Sequence, residues 1–310
     1  MKIYNYRPGT VIGKKTAVAL GFFDGVHAAH RRLLEKTKEI ARKNNLLFTV
    51  FTFESTTGIK ENSLIYSTEE KLALFESLGV EAVMLAKFAD ISEVSADIFV
   101  KDCLFGDMGC RVAVAGFDFR YGKGRTGNIE SLTREMRRLG ADCITEAQQT
   151  IGGEKISSSK IKSLLSDGDV EEARRFLGYP YQLICKVEHG RGVGKKLGFP
   201  TINTSLDKSR VKLRYGVYRT AVDISGKLYT GVTNVGVCPT FKEREAHAET
   251  YITNYSGDLY GEKIRILFLG RLRDEMRFNS PEELITQITI DKNRAIKENG
   301  ELTWQEIGQN

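Results

Sequence analysis

No two of the five cysteines (Cys103, Cys110, Cys143, Cys185 and Cys238) lie close enough to form a C-x-x-C pair. Their odd number and wide spacing argue against a disulfide framework and for reduced thiols in a cytoplasmic protein. Long apolar runs are missing too. The densest, residues 46–53, is far too short to span a bilayer, so no membrane association is expected. Residues 1–6 contain no apolar core of the secretory kind. There is no helix-turn-helix, zinc finger or RNP-type aromatic motif, which argues against nucleic acid as a partner. Internal repeats and low-complexity segments are absent. What remains is ordinary globular composition, 310 residues with 41% hydrophobic and 28% charged, enough for two domains. The net charge of +6 fits a protein that handles polyphosphates, and would also fit a nucleic-acid binder.

The most informative stretch begins at Gly190, Gly192 and Gly194, three glycines within five residues, followed by Lys195 and Lys196. Without Cβ atoms, such amides can approach phosphate oxygens closely. Pro200 then fixes the chain. Thr201 and Asn203 alternate, so a strand here aims two side-chain oxygens to one face, as Mg²⁺ requires. A Walker loop is excluded, because it needs glycine where His189 stands and Ser or Thr where Lys196 stands. On spacing alone the segment reads either as a site for Mg-ATP or as a flexible turn.

In the N-terminal half, residues 16–20 are a short apolar run ended by Gly21, as in a buried parallel strand. Residues 27–43 carry a helical period, and residues 46–53 predict the next strand. Ser67 with Glu70 is a capping box, and residues 80–85 and 111–115 predict further strands. The expected fold is a doubly wound α/β domain, whose ligands bind beyond the carboxyl ends of the strands. Residues 21–30 must lie there. His27 and His30, three apart at a helix start, project to one side and could bind ATP phosphates; ordinary surface histidines are the alternative. Ser157, Ser158 and Ser159 open a helix beside Lys160 and Lys162, either as an anion site or as a plain N-cap.

Asp169 and Glu172 cap a helix that Gly178 ends and Pro180 blocks, which places a boundary near 180. Strands are predicted at 183–188, 216–224, 227–235, 248–254 and 263–269, with a hairpin turn at Ser225-Gly226. Ser280, Pro281 and Glu283 open one late helix, with Leu284, Ile285, Ile288 and Ala295 as its apolar stripe. A small antiparallel β-barrel with a terminal helix follows. Glu249 is a lone carboxylate on an apolar strand, either functional or a charge that protects a sheet edge.

The segment from Gly190 to Asn203 resembles the riboflavin kinase signature G-x-G-x-x-L-G-x-P-T-x-N. Matches to Tyr215-Gly216-Val217-Tyr218, Asn234-Val235-Gly236, Pro239-Thr240-Phe241, Glu249-Thr250-Tyr251-Ile252, Asp258-Leu259-Tyr260-Gly261 and Leu272-Arg273 follow in order. Gly21-Phe22-Phe23-Asp24-Gly25-Val26-His27-Ala28-Ala29-His30 resembles the H-x-G-H nucleotidyltransferase motif. Gly116-Phe117-Asp118-Phe119 and Ile156-Ser157-Ser158-Ser159 are similar to two later elements of the same module. Together they resemble bacterial two-domain riboflavin kinase/FMN adenylyltransferases over nearly the whole chain. The resemblance implies adenylylation of FMN in residues 1–180 and phosphorylation of riboflavin in residues 181–310. It implies ATP, riboflavin and FMN as ligands, Mg²⁺ on Thr201 and Asn203, and a monomer or weak homo-oligomer. Glu249 would be the general base. Gly21, Phe22, Asp24, Gly25, Ser158, Ser159, Lys160, Lys162, Gly190, Gly192, Gly194 and Lys196 would bind nucleotide, and Asp118, Arg120, Arg125 and Arg273 flavin. Four positions depart from the pattern: Ala29 and Cys185 replace glycine, and Lys162 and Cys238 replace arginine. The prolines that often follow residues 52–55 are missing too. A kinase with a weakened adenylyltransferase site, or a flavin-binding regulator, are the alternative readings.

Overall fold

The computed structural model describes residues 1–54, 63–190, 192, 194, 197–237, 246–305 and 307. The chain divides into two compact units, one of Met1–Lys60 with Leu64–Ser158, the other of Ser159–Asn310 with residues 61–63.

The first unit is built on six parallel strands: β1 (Lys2–Asn5), β2 (Thr16–Leu20), β3 (Leu47–Phe53), β4 (Ala82–Ala86), β5 (Cys110–Gly116) and β6 (Asp142–Glu146), in the order β1-β4-β3-β2-β5-β6. Every residue of β2 and β4 is buried, as expected of strands covered on both faces. Helix α1 (Ala28–Lys43) buries Leu33, Leu34, Thr37 and Ala41. In α2 (Thr68–Ser77) both bonds of the Ser67–Glu70 capping box form. Next come α3 (Phe88–Ile91), then α4 (Ala96–Ile98), which runs into a π-type helix (Phe99–Asp107), and α5 (Ile129–Arg138). A short hairpin of β7 (Thr150–Ile151) and β8 (Glu154–Lys155) precedes α6 (Ser158–Asp167). From β2 the chain winds one way through β3 and β4, then the other way through β5 and β6. The order therefore reverses between β2 and β5, which opens a crevice above their carboxyl ends.

The second unit takes in most of α6, then α7 (Val170–Leu177), which packs on strands of that unit. Asp169 caps α7 and Gly178 ends it in the left-handed conformation. Six antiparallel strands follow: β9 (Tyr181–Lys186), β10 (Thr201–Ser205), β11 (Gly216–Ile224), β12 (Lys227–Val237), β13 (Ala246–Ile252) and β14 (Lys263–Arg273), ordered β10-β13-β12-β11-β14-β9. Ser225 (φ 53°) and Gly226 (φ 88°) make the two-residue turn between β11 and β12. The two sheet edges meet where the Glu188 amide donates to the Asn203 carbonyl at 2.8 Å, the single isolated bridge among the described residues of this unit. The Ser205 hydroxyl adds a 2.7 Å bond to the Glu188 carboxylate. Inside the barrel Thr220, Thr233 and Thr250 are buried and share their hydroxyls across three strands at 2.9 Å each. Helix α8 (Pro281–Asn299) lays Ala295 against Val217, Val232 and Leu272.

Candidate active sites

The first site is the crevice of the parallel sheet. After β2 the backbone turns through left-handed conformations at Phe23 (φ 55°), Gly25 (φ 79°) and Val26 (φ 39°). Two polar contacts fix this turn: the Asp24 carboxylate accepts the Ile65 amide at 2.8 Å, and the Asp24 carbonyl accepts the Ser158 hydroxyl at 2.9 Å. A Cβ on Gly25 would sit 2.7 Å from Ile65 Cδ1, so glycine is needed both for its φ and for space.

The turn delivers His27 as the N-cap of α1, with its Nδ1 accepting the His30 amide at 3.3 Å. The neutral ring must then carry its proton on Nε2, which makes that atom a donor. The two imidazoles stack at 3.5 Å, and the Phe23 ring meets His30 edge-on at 5.1 Å. Burial lowers His27 from the usual 6.5 to about 4, and it lowers His30 well below 6.5, aided by His27 and Lys71. Both rings are therefore neutral at physiological pH, polar donors rather than cations.

Below pH 6.5 the unfolded chain binds a proton that folded His27 refuses until about pH 4. The folded state thus loses stability as pH falls across that window, by on the order of 3 kcal/mol for His27. Denaturant titrations read by far-UV circular dichroism at pH 7 and pH 4.5 are expected to show this loss, and a smaller one in His27→Asn, which keeps the cap.

A cavity of about 420 Å³ lies over this turn. It gathers Gly21, Phe22, His27 and His30 after β2, Asp118, Arg120 and Arg125 after β5, and Ser158 at the start of α6. Ala29 also lines it, its methyl standing where the family pattern has glycine. Arg120 and Arg125 are exposed and make no ion pair with a described residue. Asp118 is held by Lys155 at 3.0 Å, and that ammonium also lies over the Phe117 ring at 5.1 Å. Asp24 and Gly25 shape the turn without lining the cavity. Ser159, Lys160 and Lys162 continue α6 within the second unit and are not among its lining residues either.

The second site is written in the barrel register. Asn203 on β10 stands opposite Glu249 on β13, which stands opposite Asn234 on β12; Asn234 faces Val217 on β11, and Val217 faces Arg273 on β14. Five strands thus place five residues in one row, their side chains on one face. One step along, Thr201, Tyr251 and Val232 form a second row on that face. A cavity of about 240 Å³ joins Thr201, Glu249, Asn234 and Arg273 to Gly194 and to Leu284 and Ile288 of α8. Glu249 is exposed, and no described residue engages its carboxylate.

The glycine approach is close-fitting. A Cβ on Gly190 would overlap the Asn203 amide, and one on Gly194 would collide with the Phe199 carbonyl and lie 3.3 Å from Thr201 Oγ1. Lys195, Lys196 and Cys238 lie outside the described residues, and Gly192 is exposed. Arg273 is not a loose cation: its Nε donates to both oxygens of buried Asp291, at 3.2 and 3.0 Å, while Gln287 donates to the same carboxylate at 3.0 Å. Asp291 and Asn234 were not singled out individually as site residues by sequence reasoning. Helical spacing from Leu284 and Ile288 would have put Asp291 on the inward stripe, and strand alternation would have put Asn234 beside Glu249.

The chain thus carries two separate cavities, one in each unit. A riboflavin kinase family model matches residues 177–298 and an FAD synthetase model matches residues 11–160. The bifunctional riboflavin kinase/FMN adenylyltransferase of Bacillus subtilis is 35% identical over 293 residues, covering 91% of this chain and 92% of that protein. The Escherichia coli K12 enzyme of the same description is 32% identical over 284 residues, covering 89% and 90%. A crystal structure from Streptococcus pneumoniae, described as a macrolide-efflux protein, shares the fold with a TM-score of 0.85 at 28% identity, over 97% of this chain and all of that one. No helix among the described residues of this chain is long and apolar enough to cross a membrane.

The chain belongs to the bifunctional riboflavin kinase/FMN adenylyltransferase family. It phosphorylates riboflavin to FMN and adenylylates FMN to FAD, both with ATP, so neither the kinase-only nor the regulatory reading is favoured.

Proposed function

We propose that the barrel row is the kinase site and the crevice around His27 the adenylyltransferase site. The observation that carries the first assignment is the register that aligns Asn203, Glu249, Asn234 and Arg273 across five strands. Glu249 accepts the proton of the ribityl 5′-hydroxyl as that oxygen attacks the γ-phosphorus of ATP, and the bond to the ADP oxygen breaks. Thr201 and Asn203 offer a hydroxyl and an amide oxygen from one strand face, and the absence of Cβ atoms lets Gly190 pack against the Asn203 amide and Gly194 against the Phe199 carbonyl. That donor set fits Mg²⁺, which takes few protein oxygens and completes its shell with phosphate and water. When bound, Mg²⁺ neutralises the charge on the phosphates. Arg273, fixed by Asp291, presents a positioned guanidinium to the flavin.

In the crevice, a phosphate oxygen of FMN attacks the α-phosphorus of ATP and pyrophosphate leaves. His27 donates from Nε2 and the α1 amides add their dipole, both aimed at charge that builds on the α-phosphoryl oxygens. Arg120 and Arg125 bind the flavin phosphate. The protein works in the cytoplasm, as a monomer or weak homo-oligomer, with no nucleic-acid partner.

Incubation with riboflavin, ATP and Mg²⁺, with products separated over time and a parallel reaction started from FMN, tests the scheme. FMN first and FAD later is expected; FMN that accumulates from both starts would sink the crevice assignment. In the same assay Ala29→Gly is expected to raise kcat/KM for FAD formation a few-fold, because it clears the methyl from the cavity. Glycine in the first turn of α1 costs about 0.5–1 kcal/mol, read as a small drop in melting temperature.

A further inference from the structure

Helix α2 carries a lysine into the interior beside the crevice. Lys71 is 1% exposed, and its ammonium donates to the Phe53 carbonyl at 2.7 Å, the Phe22 carbonyl at 3.2 Å and Thr52 Oγ1 at 3.2 Å. All three of its protons are used. The Thr52 hydroxyl in turn donates to the Phe22 carbonyl at 2.9 Å, and the Phe22 ring lies 4.8 Å from the ammonium. Burial lowers Lys71 to about 8, with Asp24 opposing the shift, so the group is mostly charged at neutral pH and its bonds are charge-assisted.

The acceptors belong to two segments that must be held together. Phe22 opens the left-handed turn whose two non-glycine members, Phe23 and Val26, adopt a conformation that L side chains rarely take. Thr52 and Phe53 end β3. Phe22 and Phe53 line the adenylyltransferase cavity; Lys71 does not. A buried lysine that merely filled space would not need to collect three oxygens, one from the turn that sets the His27 cap and two from the end of the adjoining strand.

We infer that Lys71 is a positioning residue for adenylyl transfer. It acts through the Phe22 and Phe53 carbonyls, holding the strained turn in the shape that places His27 and His30 against the α-phosphoryl group. The inference rests on the crevice being the adenylyltransferase site. Its signature is kinetic: a misplaced donor weakens the transition state more than it weakens substrate binding.

The test uses the full-length protein with FMN, ATP and Mg²⁺, and reads riboflavin phosphorylation in the same preparation as an internal control. Lys71→Met is expected to lower kcat for FAD formation by about tenfold to a hundredfold. The KM values for FMN and ATP should move less than about threefold, and the kinase rate should be unchanged. Thr52→Val, which removes one member of the network and keeps the charge, is expected to show a smaller loss of the same kind. A Lys71→Met enzyme with kcat within about twofold of the parent overturns the inference, as does a loss carried by KM alone. If Lys71→Met does not fold, Thr52→Val decides: full activity overturns the inference, and a kcat-weighted loss supports it. A parent protein that makes no FAD from FMN removes the crevice reading itself, and the inference with it.

Discussion

Glu249→Gln is expected to lower the rate of FMN formation from riboflavin by about 10²–10⁴-fold, the usual worth of a general base. Glutamine keeps the size of the side chain and its place in the row with Asn203 and Asn234. What it loses is the ability to take a proton. The carboxylate carries no structural bond to a described residue, so the barrel should melt at an unchanged temperature. Riboflavin binding, read by quenching of flavin fluorescence, should persist. FAD formation from added FMN should be untouched, because it occurs in the other unit. A Glu249→Gln protein with unchanged kinase turnover would refute the assignment and leave the carboxylate as a sheet-edge charge.

His27→Asn is the second large effect, expected to reduce FAD formation by about 10²–10³-fold, as when one donor to a developing oxyanion is removed. Asparagine is among the best N-cap residues, so α1 keeps its start. The variant thus separates the ring from the cap. Kinase activity should not change. Neutrality of the stacked pair gives a direct check, since the chain has only four histidines. In NMR titrations of the free protein from pH 8 to pH 5.5, the His27 and His30 ring resonances should stay fixed, because burial holds both below that window. An inflection near 6.5 from either ring would show that it is an ordinary, solvated histidine.

Local chemistry made much of this legible in the sequence. The Ser67–Glu70 capping box, the Ser225-Gly226 turn and the Ser280-Pro281 helix start each depend on neighbours within a few positions, and each forms as the residues imply. Alternation placed Thr201 and Asn203 on one face of β10, and the strand–glycine–helix pattern placed His27 at a helix start beyond β2. The edge strands β1 and β6 were harder to see, being short, partly exposed and weakly patterned. Lys71 was illegible for a different reason. On a helix it looks like a solvated charge, and only the meeting of the β2 turn with the end of β3 buries it among three oxygens. Asp291 was hidden likewise, because its partner Arg273 ends a strand 18 residues earlier in the chain. The separation of α6 and α7 from the first unit had no local signal at all, since helix caps say where a helix begins and not what it packs on.

Among the described residues, the bridge between Glu188 and Asn203 is the one backbone pairing that fastens the two edges of the barrel sheet. Every other strand boundary in it is a ladder, which opens only by breaking several bonds together. This one is held, among the described residues, by a single backbone bond and the hydroxyl contact from Ser205. Native-state openings run through the weakest unit first. The least costly breach among the described residues of the barrel wall therefore lies at Asn203, so the residue that fastens the cylinder is also the one that stands opposite Glu249.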